Sequence, residues 1–134
     1  MRAVVVGSGR VGSTLSKALV EAGWDVAVVD ENEQALETLG DWRGAFVVGH
    51  GMDAGVLEEA GIGEADAVIC ATDGDNTNIV VAQIATRKYG VERVAARIHD
   101  PARADFFSDR GFAVVSPVKI AISELTSWAL GDGR

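Results

Sequence analysis

Six times along this chain a short run of β-branched and small apolar residues gives way to a longer segment of helical spacing, and a glycine follows each helical segment. Arg2–Val6, Asp25–Asp30, Ala45–Val48, Ala67–Ala71, Arg93–Ile98 and Ala113–Val115 read as strands. Val11–Ala22, the stretch capped by Asn32 and running to Leu39, Asp53–Ala60, Asn76–Tyr89, Pro101–Arg110 and Pro117–Leu130 read as helices. Gly23, Gly40, Gly61, Gly90 and Gly111 stop the first five, and Gly131 follows the last. Strands that are apolar on both faces and separated by helices pair in parallel, with helices covering the sheet. Right-handed crossovers then leave the doubly wound α/β fold, a Rossmann-like six-stranded parallel sheet.

The six units use all 134 residues. The expectation is one domain over 1–134, with no length for a second, substrate-holding domain. Hydrophobic residues make up 48% and charged residues 24%, a globular composition that excludes a disordered or fibrous chain. No apolar run reaches the roughly 18 residues of a membrane span. Met1 and Arg2 lead straight into the first strand, so no signal peptide is expected and the location expected is cytoplasmic. Twenty acidic against twelve basic residues give a formal charge of −8, which argues against nucleic acid or an anionic membrane surface as a partner. One cysteine excludes an internal disulfide and a zinc cluster, and two histidines are too few for most metal sites.

The first strand runs into Gly7-Ser8-Gly9-Arg10-Val11-Gly12, a GxGxxG spacing that also opens a helix. In that context Gly7 permits the turn, Gly9 lets a phosphate approach the backbone and Gly12 lets helix and sheet pack closely. The free N–H groups and dipole of the helix start favour an anion. Asp30 ends the second strand 18 residues after Gly12, at the acidic position that holds the ribose hydroxyls of an adenosine. A carboxylate there repels a 2′-phosphate, so NADP is disfavoured. Glu31 and Glu33 are neighbours that can share the role, and Asp30 can equally be a strand-end cap. Arg10 can fork onto phosphate oxygens or remain a solvated side chain.

These motifs, with several that follow, resemble the TrkA-N domain, also called the KTN or RCK N-terminal domain, of potassium channel and transporter regulators. Gly7 to Gly12 with Arg10, Val28-Val29-Asp30, Val56-Leu57-Glu58-Glu59-Ala60-Gly61-Ile62, Ala65-Asp66-Ala67-Val68-Ile69, Ala71-Thr72-Asp73, Asn78 and Ala96-Arg97-Ile98 with Pro101 occur in the family's order. Gly49-His50-Gly51-Met52 falls where the family usually has Gly-Asp-Ala/Gly-Thr, and Asn76 stands where an acid is common. The resemblance implies a regulatory domain that binds NAD(H) or ATP/ADP. Ligand binding would switch the geometry of a homodimer or ring and so gate a membrane-embedded potassium pathway at the inner face of the cell membrane.

Carried over, Gly7, Ser8, Gly9, Arg10, Val11 and Gly12 meet phosphates, Asp30 or Glu31 the ribose, and Ala71, Thr72, Asp73 and Asn78 the adenosine half of the crevice. Arg97 is a second phosphate contact, from the same or a partner subunit. Gly51 and the departures His50 and Met52 lie at the adenine end. There His50 can stack on a base, bond to it, or be a solvated loop residue.

In the last helix, residues 117–130, Val118, Ile122, Leu125 and Ala129 form an apolar stripe. It packs on its own sheet or, as the resemblance implies, crosses to a partner subunit.

A small NAD-dependent oxidoreductase is the alternative reading, and it needs a proton donor beside the nicotinamide. The sequence offers none in a recognisable pattern. Tyr89 lacks the lysine of a Tyr-x-x-x-Lys pair, having Arg93 there, His50 and His99 lie in separate loops, and Cys70 sits in an apolar run. Ser8 lacks the G-x-S-x-G spacing of a nucleophile elbow. No catalytic residue is expected.

Overall fold

The structure, a computed structural model, describes residues 1–131; the last three residues of the expected domain lie outside the described residues. Six strands form one parallel sheet: β1 (Arg2–Val6), β2 (Asp25–Asp30), β3 (Ala45–Val48), β4 (Ala67–Cys70), β5 (Arg93–Arg97) and β6 (Ala113–Val115), in the order β3-β2-β1-β4-β5-β6. The chain has the doubly wound, Rossmann-like fold that its sequence pattern predicts. β1 is central, with Ala3 to Val6 wholly buried between β2 and β4. The strand order turns at β1 and β4, and their carboxyl ends open the crevice where ligands settle in such sheets.

Six helices connect and follow the strands: α1 (Arg10–Glu21), α2 (Ala35–Leu39), α3 (Ala54–Glu59), α4 (Asp75–Arg87), α5 (Pro101–Phe107) and α6 (Pro117–Ala129), with a 3-10 turn at Ile62–Glu64. They divide the core in two. Leu57, Ile79, Val81, Ala82 and Ala85 pack on the face of the sheet carrying Val4, Val6, Val68, Cys70, Val94 and Ala96. Leu15, Leu19 and Leu39 cover the other face at Ala3, Val5, Val26 and Val28. This is the alternation of buried strands between two helical layers.

Element ends differ from the sequence reading where local hydrogen bonds decide. The Asn32 side chain accepts from the Gln34 N–H (3.0 Å) and its carbonyl from the Ala35 N–H (3.0 Å), so it caps the turn that leads into α2, whose regular part is Ala35–Leu39. Asp53, Asp100 and Ser116 cap α3, α5 and α6 through their side chains. β4 ends at Cys70, although the Ala71 N–H still donates to the Val6 carbonyl (2.8 Å), and α5 ends at Phe107.

The largest difference is α6. None of its residues is buried, and Leu125 (68%), Trp128 (74%), Ile120 and Ile122 are exposed. Packing of this helix on its own sheet, one of the two sequence alternatives, is therefore not the arrangement found. The sheet also leaves an apolar face open. On the α1 side no helix among the described residues covers β5 and β6, and an apolar groove of about 680 Å³ runs there between Leu15, Leu19 and Trp24 on one flank and Ile69, Ala95 and Ala113 on the other.

Candidate functional site

The loop after β1 is shaped by contacts that leave no room for side chains. Gly7 has φ +104°, and a Cβ there would lie 2.7 Å from the Ala71 carbonyl and the Thr72 nitrogen. A Cβ on Gly12 would lie 1.9 Å from the Gly7 carbonyl oxygen. So β1, the β4 exit and the start of α1 meet at van der Waals distance only because both residues are glycine. Gly9 is different: a Cβ there would have nothing within 4 Å. The space there is open, and Gly9 lines the cleft beside it. Gly9 is also the N-cap of α1 and makes no side-chain cap bond, and the first turn holds no acid. The N–H groups of that turn are free for an anion.

Beside this loop lies a cleft of about 880 Å³, bounded by the carboxyl ends of the central strands and by α1 and α2. Of the residues singled out in the sequence, Gly7, Ser8, Gly9, Arg10, Asp30, Glu31, Gly51, Ala71, Thr72 and Asp73 line it. The Ser8 hydroxyl is buried without a partner (residue exposure 4%), a donor held at the cleft wall. These features fit an adenine nucleotide: an uncapped helix start, an orphaned hydroxyl and an acidic strand end.

Asp30 does more than face the cleft. Its Oδ2 accepts from the Ser8 N–H (2.8 Å) and its Oδ1 from the Asn32 N–H (2.9 Å). It therefore ties the glycine loop to the β2 exit, and each oxygen keeps a lone pair for a hydroxyl. Glu31 is held sideways by His50, whose Nε2 lies 3.2 Å from Glu31 Oε1. His50 Nδ1 accepts from the Met52 N–H (3.1 Å), which places the ring proton on Nε2 facing Glu31. Neither His50 nor Met52 lines the cleft. Gly12 is buried behind the loop and Val11 is exposed to solvent, and both lie outside the lining.

Asn78 and Arg97 sit behind the opposite wall. Asn78 is completely buried on α4. Its Oδ1 accepts from the Thr72 N–H (2.9 Å) and hydroxyl (2.7 Å), and its Nδ2 donates to the carbonyls of Thr72 (3.0 Å) and Arg97 (2.8 Å). All four of its hydrogen-bonding positions are thus used within the protein. The Arg97 side chain, 13% exposed, donates from Nη2 to the Thr72 carbonyl (2.8 Å) and to Asp73 Oδ1 (3.2 Å). Below them, Asp75 accepts from the N–H groups of His99 and Asp100. Desolvation pushes its carboxyl up, but those two bonds, with His99 and Arg103 nearby, outweigh it and hold the group below its ordinary value.

The sequence reading missed one arm of the cleft. Between α1 and α2 it continues past Arg10 along Ser13, Thr14 and Lys17, facing Gln34 and Thr38. The signal was the spacing i, i+3, i+4, i+7 from Arg10, a polar face of the helix behind the glycine loop.

Comparison with known proteins bears on what this geometry belongs to. The family model described as TrkA-N domain matches residues 3–117. The chain belongs to the TrkA-N domain family. The Trk system potassium uptake protein TrkA of Streptomyces coelicolor is 41% identical over 134 residues, covering 99% of this chain and 60% of that protein. A TrkA homolog from Methanothermobacter thermautotrophicus is 34% identical, covering 93% and 58%. The chain thus spans about three-fifths of the length of these curated relatives. Among solved structures, the TrkA-N domain of the Escherichia coli inner membrane protein ybaL superposes with a TM-score of 0.81 at 23% identity, covering 93% of this chain and 94% of that one. The GsuK channel bound to NAD superposes at 0.78 and 23% identity, covering 94% of this TrkA-N domain and 22% of the channel chain. At that identity the superpositions establish the fold. Among the described residues no helix is long and apolar enough to cross a membrane.

Proposed function

We propose that this TrkA-N domain is a regulatory module. It binds an adenine nucleotide in the cleft and acts on a membrane-embedded potassium channel or transporter subunit. One observation carries the reading: the open backbone at Gly9, at the uncapped start of α1, and the Asp30 carboxylate that is bonded to the neighbouring Ser8 N–H line the same cleft. Gly9, Ser8 and Arg10 would hold phosphates, Asp30 with Glu31 the ribose, and Ala71 to Asp73 the adenosine edge. Gly12 shapes the loop from behind, Val11 flanks it on the solvent side, and His50, braced by the Met52 N–H, orients Glu31. NAD(H) and ATP/ADP both fit this set, and Asp30 and Glu31 disfavour the 2′-phosphate of NADP. The TrkA relatives named above are potassium uptake proteins, and the GsuK channel was crystallised with NAD and with ADP. That parallel supports both the ligand class and a place at the cytoplasmic face of the membrane, reached through a partner.

The same reading makes the domain part of a homodimer or larger ring. The exposed stripe of α6 and the uncovered groove over β4–β6 are complementary apolar surfaces within one chain, so a second copy's α6 can cover the groove while its own groove receives this one. Among the described residues, no histidine, cysteine or tyrosine lines the cleft.

Calorimetric titration of the chain with ATP, ADP, NAD⁺, NADH and NADPH tests this. Saturable binding of an adenine nucleotide, weakest for NADPH, is the expected result. Failure of all five to bind overturns it. Light scattering of the wild type and of a Leu125→Asp/Trp128→Ser double variant tests the pairing, with a shift from dimer to monomer expected.

A further inference from the structure

Past the glycine loop the cleft runs on between α1 and α2 as an arm that the nucleotide reading leaves unassigned. Arg10, Ser13, Thr14 and Lys17 form one wall, and Gln34 and Thr38 the other. The four α1 residues share one face of the helix, so a line of donors about 10 Å long runs from the loop into the arm. Ser13 is the decisive one. It is 7% exposed, it lines the cleft, and its hydroxyl makes no hydrogen bond among the described residues. A buried hydroxyl ordinarily has a partner, and here one can reach it from the cleft. One turn further on, Lys17 Nζ stretches to 3.5 Å from the Thr38 carbonyl, a contact longer than an ordinary hydrogen bond and made to a neutral oxygen. It leaves donors of the ammonium unused.

The charge of the arm runs against that of the chain. Acids outnumber bases twenty to twelve, yet no acid stands among the residues of the arm. Neither Arg10 nor Lys17 pairs with an acid among the described residues. Asp30 and Glu31 elsewhere in the lining are engaged, Asp30 with the Ser8 and Asn32 N–H groups and Glu31 with His50. Arg10 stands where loop and arm meet and can serve either, whereas Lys17 belongs to the arm. A carboxylate brings two oxygens and one charge to such a place. A phosphoryl group brings three acceptor oxygens and close to two charges at neutral pH. That matches two unpaired cations with two hydroxyls between them, and lysine takes phosphate as a point charge.

We propose that the arm is a second phosphoryl-binding subsite, distinct from the phosphate position at Gly9, with Lys17 and the Ser13 and Thr14 hydroxyls as its donors. The group it takes is a free phosphate or one borne on the ribose of the bound nucleotide, because the arm opens on the β2–α2 side, the side of Asp30. The second source rests on the nucleotide reading above; the first stands without it.

The test follows backbone amides of the full chain by NMR. Inorganic phosphate is titrated into the chain saturated with ADP, and adenosine 3′,5′-bisphosphate into the free chain. The expected result is that one of these probes moves the Ser13 and Lys17 amides along a saturating curve. Lys17→Gln should weaken that binding about ten-fold, the worth of one charge-assisted bond, and Lys17→Arg should restore most of it. Lys88→Gln removes the same charge from another exposed position and should change nothing. Bisphosphate that depends on Lys17 and shuts out inorganic phosphate identifies the ribose-borne source; inorganic phosphate that depends on Lys17 and binds alongside the nucleotide identifies the free one. Ser13 and Lys17 amides that neither probe moves overturn the proposal, and so does an equal loss in Lys17→Gln and Lys88→Gln. If ADP never moves the Gly9 amide, the nucleotide reading falls, and inorganic phosphate titrated without ADP decides the subsite through the same variants.

Discussion

Replacing Gly9 or Gly12 by alanine adds the same methyl group to the same loop, yet the two should fail in different ways. At Gly12 the new Cβ would stand 1.9 Å from the Gly7 carbonyl oxygen. Backbone must then move by more than an ångström, and α1 with it. Overpacking of this kind costs about 1–3 kcal/mol, which for a domain of this size lowers Tm by roughly 3–15 °C. At Gly9 nothing lies within 4 Å, and its backbone (φ −78°) is one that alanine adopts without strain. Two small terms oppose each other there: a poorer N-cap costs about 0.5–1 kcal/mol, and the stiffer unfolded chain returns about 0.4–1 kcal/mol. Stability should therefore stay within about 0.5 kcal/mol of wild type by that balance. The methyl group instead occupies the approach to the free N–H groups of α1. Losing one charge-assisted bond of about 1.5–3 kcal/mol weakens nucleotide binding by roughly 10- to 150-fold. Thermal melts and calorimetry on both variants measure these quantities. A Gly9→Ala chain that melts as low as Gly12→Ala, or that binds as tightly as wild type, would refute the reasoning about the loop.

Asp30→Ala removes two acceptors from backbone N–H groups as well as the ribose partner, so it should lower stability by about 1–2 kcal/mol in denaturant titration and weaken ADP and NAD⁺ alike; Glu31→Ala should affect binding without the stability loss. Asp75 has its carboxyl held below the ordinary value in the folded chain, so its contribution is present above the unfolded pKa of about 3.9 and is lost as pH falls through the lower, folded value. Asp75→Asn should accordingly be less stable than wild type at pH 7, with the gap closing below about pH 4 in acid titrations followed by circular dichroism. Burial pushes the Cys70 thiol up to about 12, so iodoacetamide should label it at neutral pH only on unfolding; native labelling as fast as in guanidinium would contradict the packing of β4.

How far a sequence can be read depends on whether a residue's neighbours are close in the chain. The six strands were legible because parallel strands covered on both faces read as unbroken apolar runs, and because Gly23, Gly61 and Gly90 sit where helices stop with positive φ. The glycine loop was legible because its spacing is local. Asp30 was only half legible: its spacing marks a ribose position, but its bond to the Ser8 N–H joins residues 22 apart. Asn78 and Arg97 were placed in the site by resemblance, whereas their partners Thr72 and Asp73 come from other elements and assign them to the wall behind it. Asn32 was legible as a cap because its bonds, to the Gln34 and Ala35 N–H groups, are local. The stripe on α6 announced an apolar face without saying what covers it, and the open groove on the sheet was not legible at all, because it is assembled from α1, β4, β5 and β6.

That exposed helix has a consequence for the state of the chain itself. α6 is 13 residues long, with no buried side chain, anchored near its start by the Ser116 cap and by the Lys119–Asp105 pair. A helix of about 12–15 residues is marginal in water without tertiary contacts. Its winding is therefore conditional on whatever covers its apolar side, and if that is another copy, folding of this segment becomes a concentration-dependent reaction. Dilution would then unwind it while the sheet stays intact, so that the amount of helix in a solution of this protein serves as a gauge of how many chains have met.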